Sequence, residues 1–298
     1  MDDKQDIQDL LDYWAIHLRA ERKSPQTVKT YTDGVRAFLR WADLTGHAPA
    51  LDRPTVNAFI SCLLADGAQA TTARSRQLAV RRFSAWLAKE GEIPADQLSD
   101  LKPPKLDEKV TEALTDEQCK ALVAACRGPD FRDRRDEAIV RLMIETGLRA
   151  GEVVDMTLEG VDVKQGLATI VRGKGGRGRV VPFGPQTAQS LVRYLRLRKQ
   201  HRLAHTEALW LGDRGKGLSY DGLYSTLQFR AERANLTGFH PHLLRHTAAS
   251  RWLAAGGSEG GLMAVAGWTR PDMLHRYVRA SASQRAAEEA GRLNLGDL

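Results

Sequence analysis

The stretch LKPPKLDEKV, residues 101–110, limits the fold of this chain more than any other segment. The adjacent Pro103 and Pro104 forbid a helix there, and Lys102, Lys105 and Lys109 favour an extended, positively charged connector. Patterns differ on its two sides. With 298 residues the chain is long enough for two separate cores. The sequence therefore predicts a first domain over 1–100, a linker over 101–110 and a second domain over 111–298.

The first segment reads as a four-helix bundle. Within Asp9–Arg19, Leu10, Leu11, Trp14 and Leu18 recur at helical spacing. Ser24 is placed to cap a helix reaching Trp41, with Pro25 at its first position and Val28, Tyr31, Val35, Phe38 and Leu39 along one side. Thr55–Leu64 and Thr71–Lys89 continue the pattern, the latter with Leu78, Phe83, Trp86 and Leu87. Arg74, Arg76, Arg81 and Arg82 lie on that last helix beside Thr71, Thr72 and Ser75. They form a candidate surface for nucleic-acid phosphates, although a solvated charged face has the same composition.

The second segment is mixed. Thr115 caps a helix to about Cys126, and Asp136–Glu145 is helical with Ala138, Ile139, Leu142 and Met143 inward and Gly147 ending it. Ala168–Val171 and Arg179–Phe183 read as strands joined by the GKGGRG hairpin tip. Helices follow over 185–200, 220–234 and 241–254, then two shorter ones.

A net charge of +7 and a pI near 9.4 favour a polyanionic partner, nucleic acid first. No apolar run is long enough for a membrane span, and the acidic start MDDKQDIQDL lacks the order of a signal peptide. Cys62, Cys119 and Cys126 are scattered and odd in number, so neither a disulfide framework nor a cysteine zinc site is indicated. These features predict a cytoplasmic protein with no membrane partner.

Four places carry chemistry. In HPHLLRHTAASRW, Pro241 suits a helix start, so His242 and Arg245 fall one turn apart with His246 beside them. A guanidinium beside an imidazole suits a phosphate. His242 and His246 also have the spacing of a zinc pair, but the glutamate of HExxH and a third ligand are missing. In ETGLRAGEVVDM, Arg149 stands at a helix restart, where free N–H groups and the dipole attract anions, and Glu152 is placed to hold it; a surface Arg–Glu pair fits the same residues. Lys174 sits on the hairpin tip among Arg172, Arg177 and Arg179, three candidate DNA contacts. With an ordinary pKa of about 10.4, a lysine there suits protonation of a departing alkoxide, and a basic turn touching only backbone is the alternative. Tyr277 shares a helix face with Met273, Leu274 and Val278, behind a capping-box pattern of Thr269 and Asp272; by periodicity alone it reads as a core tyrosine.

In chain order, TGLRAGEV, VRGKGGRGRVVPF, HPHLLRHTAAS and AGWTRPDMLHRYV together resemble the tyrosine recombinase (phage integrase) family. SPQTVKTYTDGVRAFLRW and TTARSRQLAVRRFSAWLAKEG resemble its core-binding domain. The resemblance implies a mainly α fold with a small β-sheet. A SAM-like helical core-binding bundle would precede a mixed α/β catalytic domain of the DNA breaking-rejoining type, the two closing on the duplex as a C-shaped clamp. It implies that Tyr277 is the nucleophile, that Arg149 and Arg245 clamp the scissile phosphate, that Lys174 is the acid for the leaving 5′ oxygen, that His242 assists proton transfer and that Glu152 supports the site. Where the family usually has Gly-His before the tyrosine helix, this chain has Gly267 and Trp268, as some members do. An indole N–H can donate to a phosphate oxygen but cannot move a proton, so acid–base duty shifts to His242 and Lys174.

The resemblance further implies site-specific recombination of double-stranded DNA through a 3′-phosphotyrosine and a Holliday junction. A homo-tetramer would assemble on two sites, its tail ASASQRAAEEAGRLNLGDL docking on a neighbour. No cofactor and no metal are expected, since no carboxylate cluster of the Mg²⁺-binding kind appears and the phosphotyrosine conserves the bond energy. The little chain before Asp9 predicts no arm-type DNA-binding domain. Type IB topoisomerase-like relaxation, a non-catalytic DNA-binding regulator and a zinc protein are the alternatives.

Overall fold

The structure, a computed structural model, describes residues 3–106, 112–171, 178–213, 217–271 and 273–274. The chain divides into two compact units, Met1–Lys109 and Val110–Leu298.

The first unit consists of α1 (Asp3–Ala20), α2 (Pro25–Thr45), α3 (Arg53–Ala65) and α4 (Ala70–Glu90). Local chemistry fixes their ends. The Ser24 hydroxyl accepts the Thr27 N–H at 3.1 Å, Pro25 opens α2, and the Asp52 carboxylate accepts the Thr55 N–H at 2.8 Å. Two apolar clusters fill the bundle, one around Leu11, Trp14, Val35 and Phe83, the other around Phe38, Phe59, Val80 and Leu98. α2 and α4 pack tightly at Gly34, where an added Cβ would fall 2.5 Å from Ala79 Cβ. Leu78, read as part of the α4 apolar stripe, is instead 39% exposed, because Ala79 and Val80 take the inward positions.

Arg81 also departs from its expected role on a phosphate-facing surface. Its Nε donates to Leu98 O at 3.0 Å and its Nη2 to Ser99 O, so it ties the chain after α4 back onto that helix. Gln77 Nε2 donates to Lys102 O, and Leu101 is buried with the second cluster. The first unit thus includes residues 98–102, across the expected boundary at 100. Arg74 and Arg82 are exposed and Arg76 half-buried.

The second unit begins with α5 (Asp116–Ala124), closed by a reciprocal capping box between Thr115 and Gln118. α6 (Phe131–Thr146), α7 (Ala150–Val154), α8 (Pro185–Arg198), α9 (Tyr220–Arg233), α10 (Pro241–Ala254) and α11 (Glu259–Ala266) follow. Between α7 and α8 lies an antiparallel sheet in the order β1 (Val161–Asp162), β2 (Leu167–Ile170), β3 (Arg179–Pro182). β2 and β3 pair from Leu167↔Pro182 to Ile170↔Arg179, which is the expected hairpin. Ala168, Ile170 and Val181 face the core and Val180 faces outward.

α6 is the central helix. Ala138, Ile139, Leu142 and Met143 are all at most 1% exposed, as their spacing predicts. The helix starts at Phe131, earlier than the apolar pattern indicates, because its first turns bury charge. Both Nε and Nη2 of Arg135 donate to Asp136 Oδ1, while Arg230 of α9 reaches Asp136 Oδ2 at 2.8 Å and Asp133. Every partner in that network is satisfied, the condition for retaining buried ions. Among the described residues no helix is long and apolar enough to cross a membrane.

Replacing Gly34 by Val should overpack the α2–α4 contact and cost about 2 kcal/mol. Urea denaturation should show a lower midpoint with the slope unchanged; a midpoint equal to wild type would mean that the helices do not meet there.

Candidate active site

α6 ends at Gly147, with φ 63°. That left-handed conformation favours glycine, and the space does too, since a Cβ would sit 3.1 Å from Ala248 Cβ on α10. The turn delivers Arg149 to the N-cap of α7. Because α7 is one turn of five residues, its dipole is small, so the expected attraction of anions to a helix start gives way to the guanidinium itself.

Glu152 organises this corner. Its Oε2 accepts the Arg149 backbone N–H at 3.0 Å and its Oε1 accepts Arg149 Nη1 at 2.9 Å. Arg179, expected to face DNA, turns inward instead and forms a bidentate pair with the same carboxylate, Nη1 to Oε1 at 2.9 Å and Nη2 to Oε2 at 2.8 Å. The Arg149 side chain remains 24% exposed, whereas that of Arg179 is 12% and that of Glu152 only 5% exposed. Burial pushes the Glu152 pKa up, but the Arg179 hydrogen bond, the Arg149 N–H and both positive charges outweigh it and hold the carboxyl below its usual range.

Arg245 enters from α10 and is 2% exposed. Nη1 donates to Gly147 O at 2.8 Å and Nη2 to Ala266 O at 2.7 Å, joining the ends of α6 and α11. Its Cζ lies 5.2 Å from the centroid of the Trp268 ring. Trp268 is 6% exposed with its Nε1 buried, and its indole presents its face to Arg245. Thr247 turns to the core, accepting the Leu114 N–H and donating to Leu243 O.

His242 is exposed one turn before Arg245. Partial burial first, then the charges of Arg245, His240, Arg149 and His246, push its pKa below the ordinary histidine value. The imidazole is therefore neutral at pH 7 and can accept a proton. The described residues contain no group of three His, Cys, Asp or Glu placed to hold a metal ion.

The structure thus brings together Arg149, Glu152, His242, Arg245 and Trp268. Tyr277, Lys174, Arg172 and Arg177 lie outside the described residues. Arg179 was singled out for its charge, but its partnership with Glu152 was missed. The available signal was its place at the start of a strand whose neighbours alternate inward and outward.

Residues 112–284 match the phage integrase family and residues 11–91 the phage integrase N-terminal SAM-like domain. The tyrosine recombinase XerC of Pseudomonas aeruginosa PAO1 is 32% identical over 258 residues, 86% of this chain and 84% of that protein. XerC of Pseudomonas fluorescens is 30% identical over 82% of each chain. Two solved structures share the fold. XerH site-specific recombinase bound to a palindromic difH substrate has a TM-score of 0.74 at 16% identity, covering 91% of this chain and 81% of that one. A lambda integrase tetramer bound to a Holliday junction has a TM-score of 0.68 at 17% identity, covering 89% and 77%. The chain belongs to the phage integrase family, the tyrosine recombinases, and is an enzyme of site-specific DNA recombination.

Glu152 gives a pH prediction with a definite sign. Its folded pKa is depressed, so its stabilisation is present above the unfolded value of about 4.3 and is lost as pH falls through the folded value. Glu152→Gln should be less stable than wild type at pH 7, and the gap should close below about pH 4. A gap that persists unchanged at low pH would remove the charge from the explanation.

Proposed function

We propose that this recombinase cuts DNA by in-line attack of Tyr277 on a phosphodiester clasped by Arg149 and Arg245. One observation carries the reading: Arg245 bonds the carbonyl of Gly147, 98 residues away in sequence and two before Arg149, so guanidiniums from separate helices converge on one corner. A guanidinium has five N–H donors, enough to keep internal anchors and bind a phosphate. Such preorganised donors stabilise the charge that develops on the non-bridging oxygens, where losing one typically costs about 3 kcal/mol. The Tyr277 oxygen forms a bond to phosphorus as the bond to the 5′ oxygen breaks. Lys174 supplies the proton to that oxygen, and neutral His242 takes up the phenol proton. Attack by a 5′ hydroxyl on the 3′-phosphotyrosine then reseals a strand without ATP. The roles of Tyr277 and Lys174 rest on the family resemblance.

The same reading gives the enzyme double-stranded DNA as partner and four protomers on two sites, passing through a Holliday junction; the structurally similar lambda integrase forms such a tetramer on such a junction. Exposed Arg74 and Arg82 would meet the backbone, with Arg76, Arg172 and Arg177 contributing. A cleft of about 530 Å³ bordered by α5, α6, α8 and α10, lined by Val123, Ile144 and Trp252 with Lys120, Arg127 and Arg141, offers a seat for a neighbour's tail ending LNLGDL. Its apolar side chains suit the tail's leucines and its basic ones suit Asp297, with Asp116 and Glu145 also on the lining.

The test is capture. Wild-type protein incubated with nicked genomic fragments should leave a covalent protein–DNA adduct on a denaturing gel, and sequencing its junctions should return one site. Tyr277→Phe should bind that site with unchanged affinity and form no adduct; an adduct that survives would place the nucleophile elsewhere. Affinity should also fall steeply with salt, as many phosphate contacts release counterions. A flat salt response would contradict an extended basic interface.

A further inference from the structure

We propose that Arg179 is a positioning residue of the cleavage site, not a phosphate ligand: it clamps Glu152, and through it Arg149, to the end of α11 that leads into Trp268. This rests on the reading above, in which Arg149 clasps the phosphate. Each of the three nitrogens of the Arg179 guanidinium makes a hydrogen bond within the protein. Nη1 and Nη2 hold the two Glu152 oxygens, and Nε donates to Val265 O at 2.8 Å. Glu152 Oε1 accepts from both Arg149 Nη1 and Arg179 Nη1, so one oxygen holds two guanidiniums in fixed relation. The chain at Gly267, with φ 64°, passes flat against Arg179; a Cβ there would lie 3.0 Å from its Cζ. One side chain on β3 thereby ties α7 to α11, the two elements that present Arg149 and Trp268. Without it, Glu152 is free to rotate toward Arg149 alone and the clasp loses its alignment. Lysine keeps the charge but cannot make the bidentate pair and the carbonyl bond together.

Arg179→Lys and Arg179→Ala provide the test, in two parts. The first needs no DNA. His242 is titrated by NMR in the wild-type protein and in both variants. With Arg149 no longer fixed, the imidazole should titrate at higher pH in both, the charge-retaining lysine included; curves that overlay wild type, or a downward shift, would overturn the proposal. The second uses the site that the wild-type protein captures. Site affinity and salt slope should stay at wild-type values while single-turnover cleavage slows on the order of 100-fold, as for a catalytic group misplaced by about 1 Å. Adding Arg179→Ala to Glu152→Gln should slow cleavage no further. A salt slope reduced by about one charge, with lysine restoring both binding and cleavage, would make Arg179 a phosphate ligand and refute the clamp. If wild type forms no adduct, the functional reading fails, and the titration still decides the clamp.

Discussion

A buried guanidinium held by two carbonyls is the constraint on which the catalytic unit depends. Arg245 cannot shed its charge, and an uncompensated charge at 2% exposure would be severely destabilising. It is tolerated because the carbonyls of Gly147 and Ala266 take its donors and the Trp268 ring lies against its face. Both carbonyls belong to helix ends, where the last C=O groups lack partners within their own helix. The ends of α6 and α11 need donors as much as Arg245 needs acceptors. Satisfying them fixes the guanidinium against the turn that carries Arg149.

Electrostatics divides the site into a fixed part and a responsive part. Glu152 sits between Arg149 and Arg179 and lets two like charges lie close together without repelling one another apart. Arg179 faces inward and only Arg149 keeps substantial exposure. The pKa of His242 is lowered too, first by burial and then by the surrounding positive charge, which favours its neutral form. One cationic field thus keeps a carboxylate ionised and helps keep an imidazole neutral.

Much of this was legible from the residues. Ser24 with Pro25, Thr115, and Gly147 mark helix ends by chemistry that acts over three or four residues, and all three appear as read; the reciprocal part of Gln118 in the Thr115 cap was not. The grouping of Arg149, Glu152, His242 and Arg245 followed from motif order. What stayed hidden depends on contacts between distant segments. The first turns of α6 look like a solvated charge run because the groups that accompany Arg135 and Asp136 into the interior, Leu211 O, Asp213 and Arg230, lie far along the chain. Arg81 and Arg179 look like DNA contacts because sequence shows a charge but not the carbonyl or carboxylate it meets. β1 is two residues long and leaves no periodicity to read.

The central claim is that both guanidiniums grip one phosphate that a phenol oxygen attacks. It is tested most directly by the structure of the protein trapped on a nicked suicide duplex. The account predicts phosphorus bonded to Tyr277 Oη, with Arg149 and Arg245 each within hydrogen-bond distance of its non-bridging oxygens and the Gly147 and Ala266 anchors intact. A trapped phosphate contacted by neither arginine would contradict it.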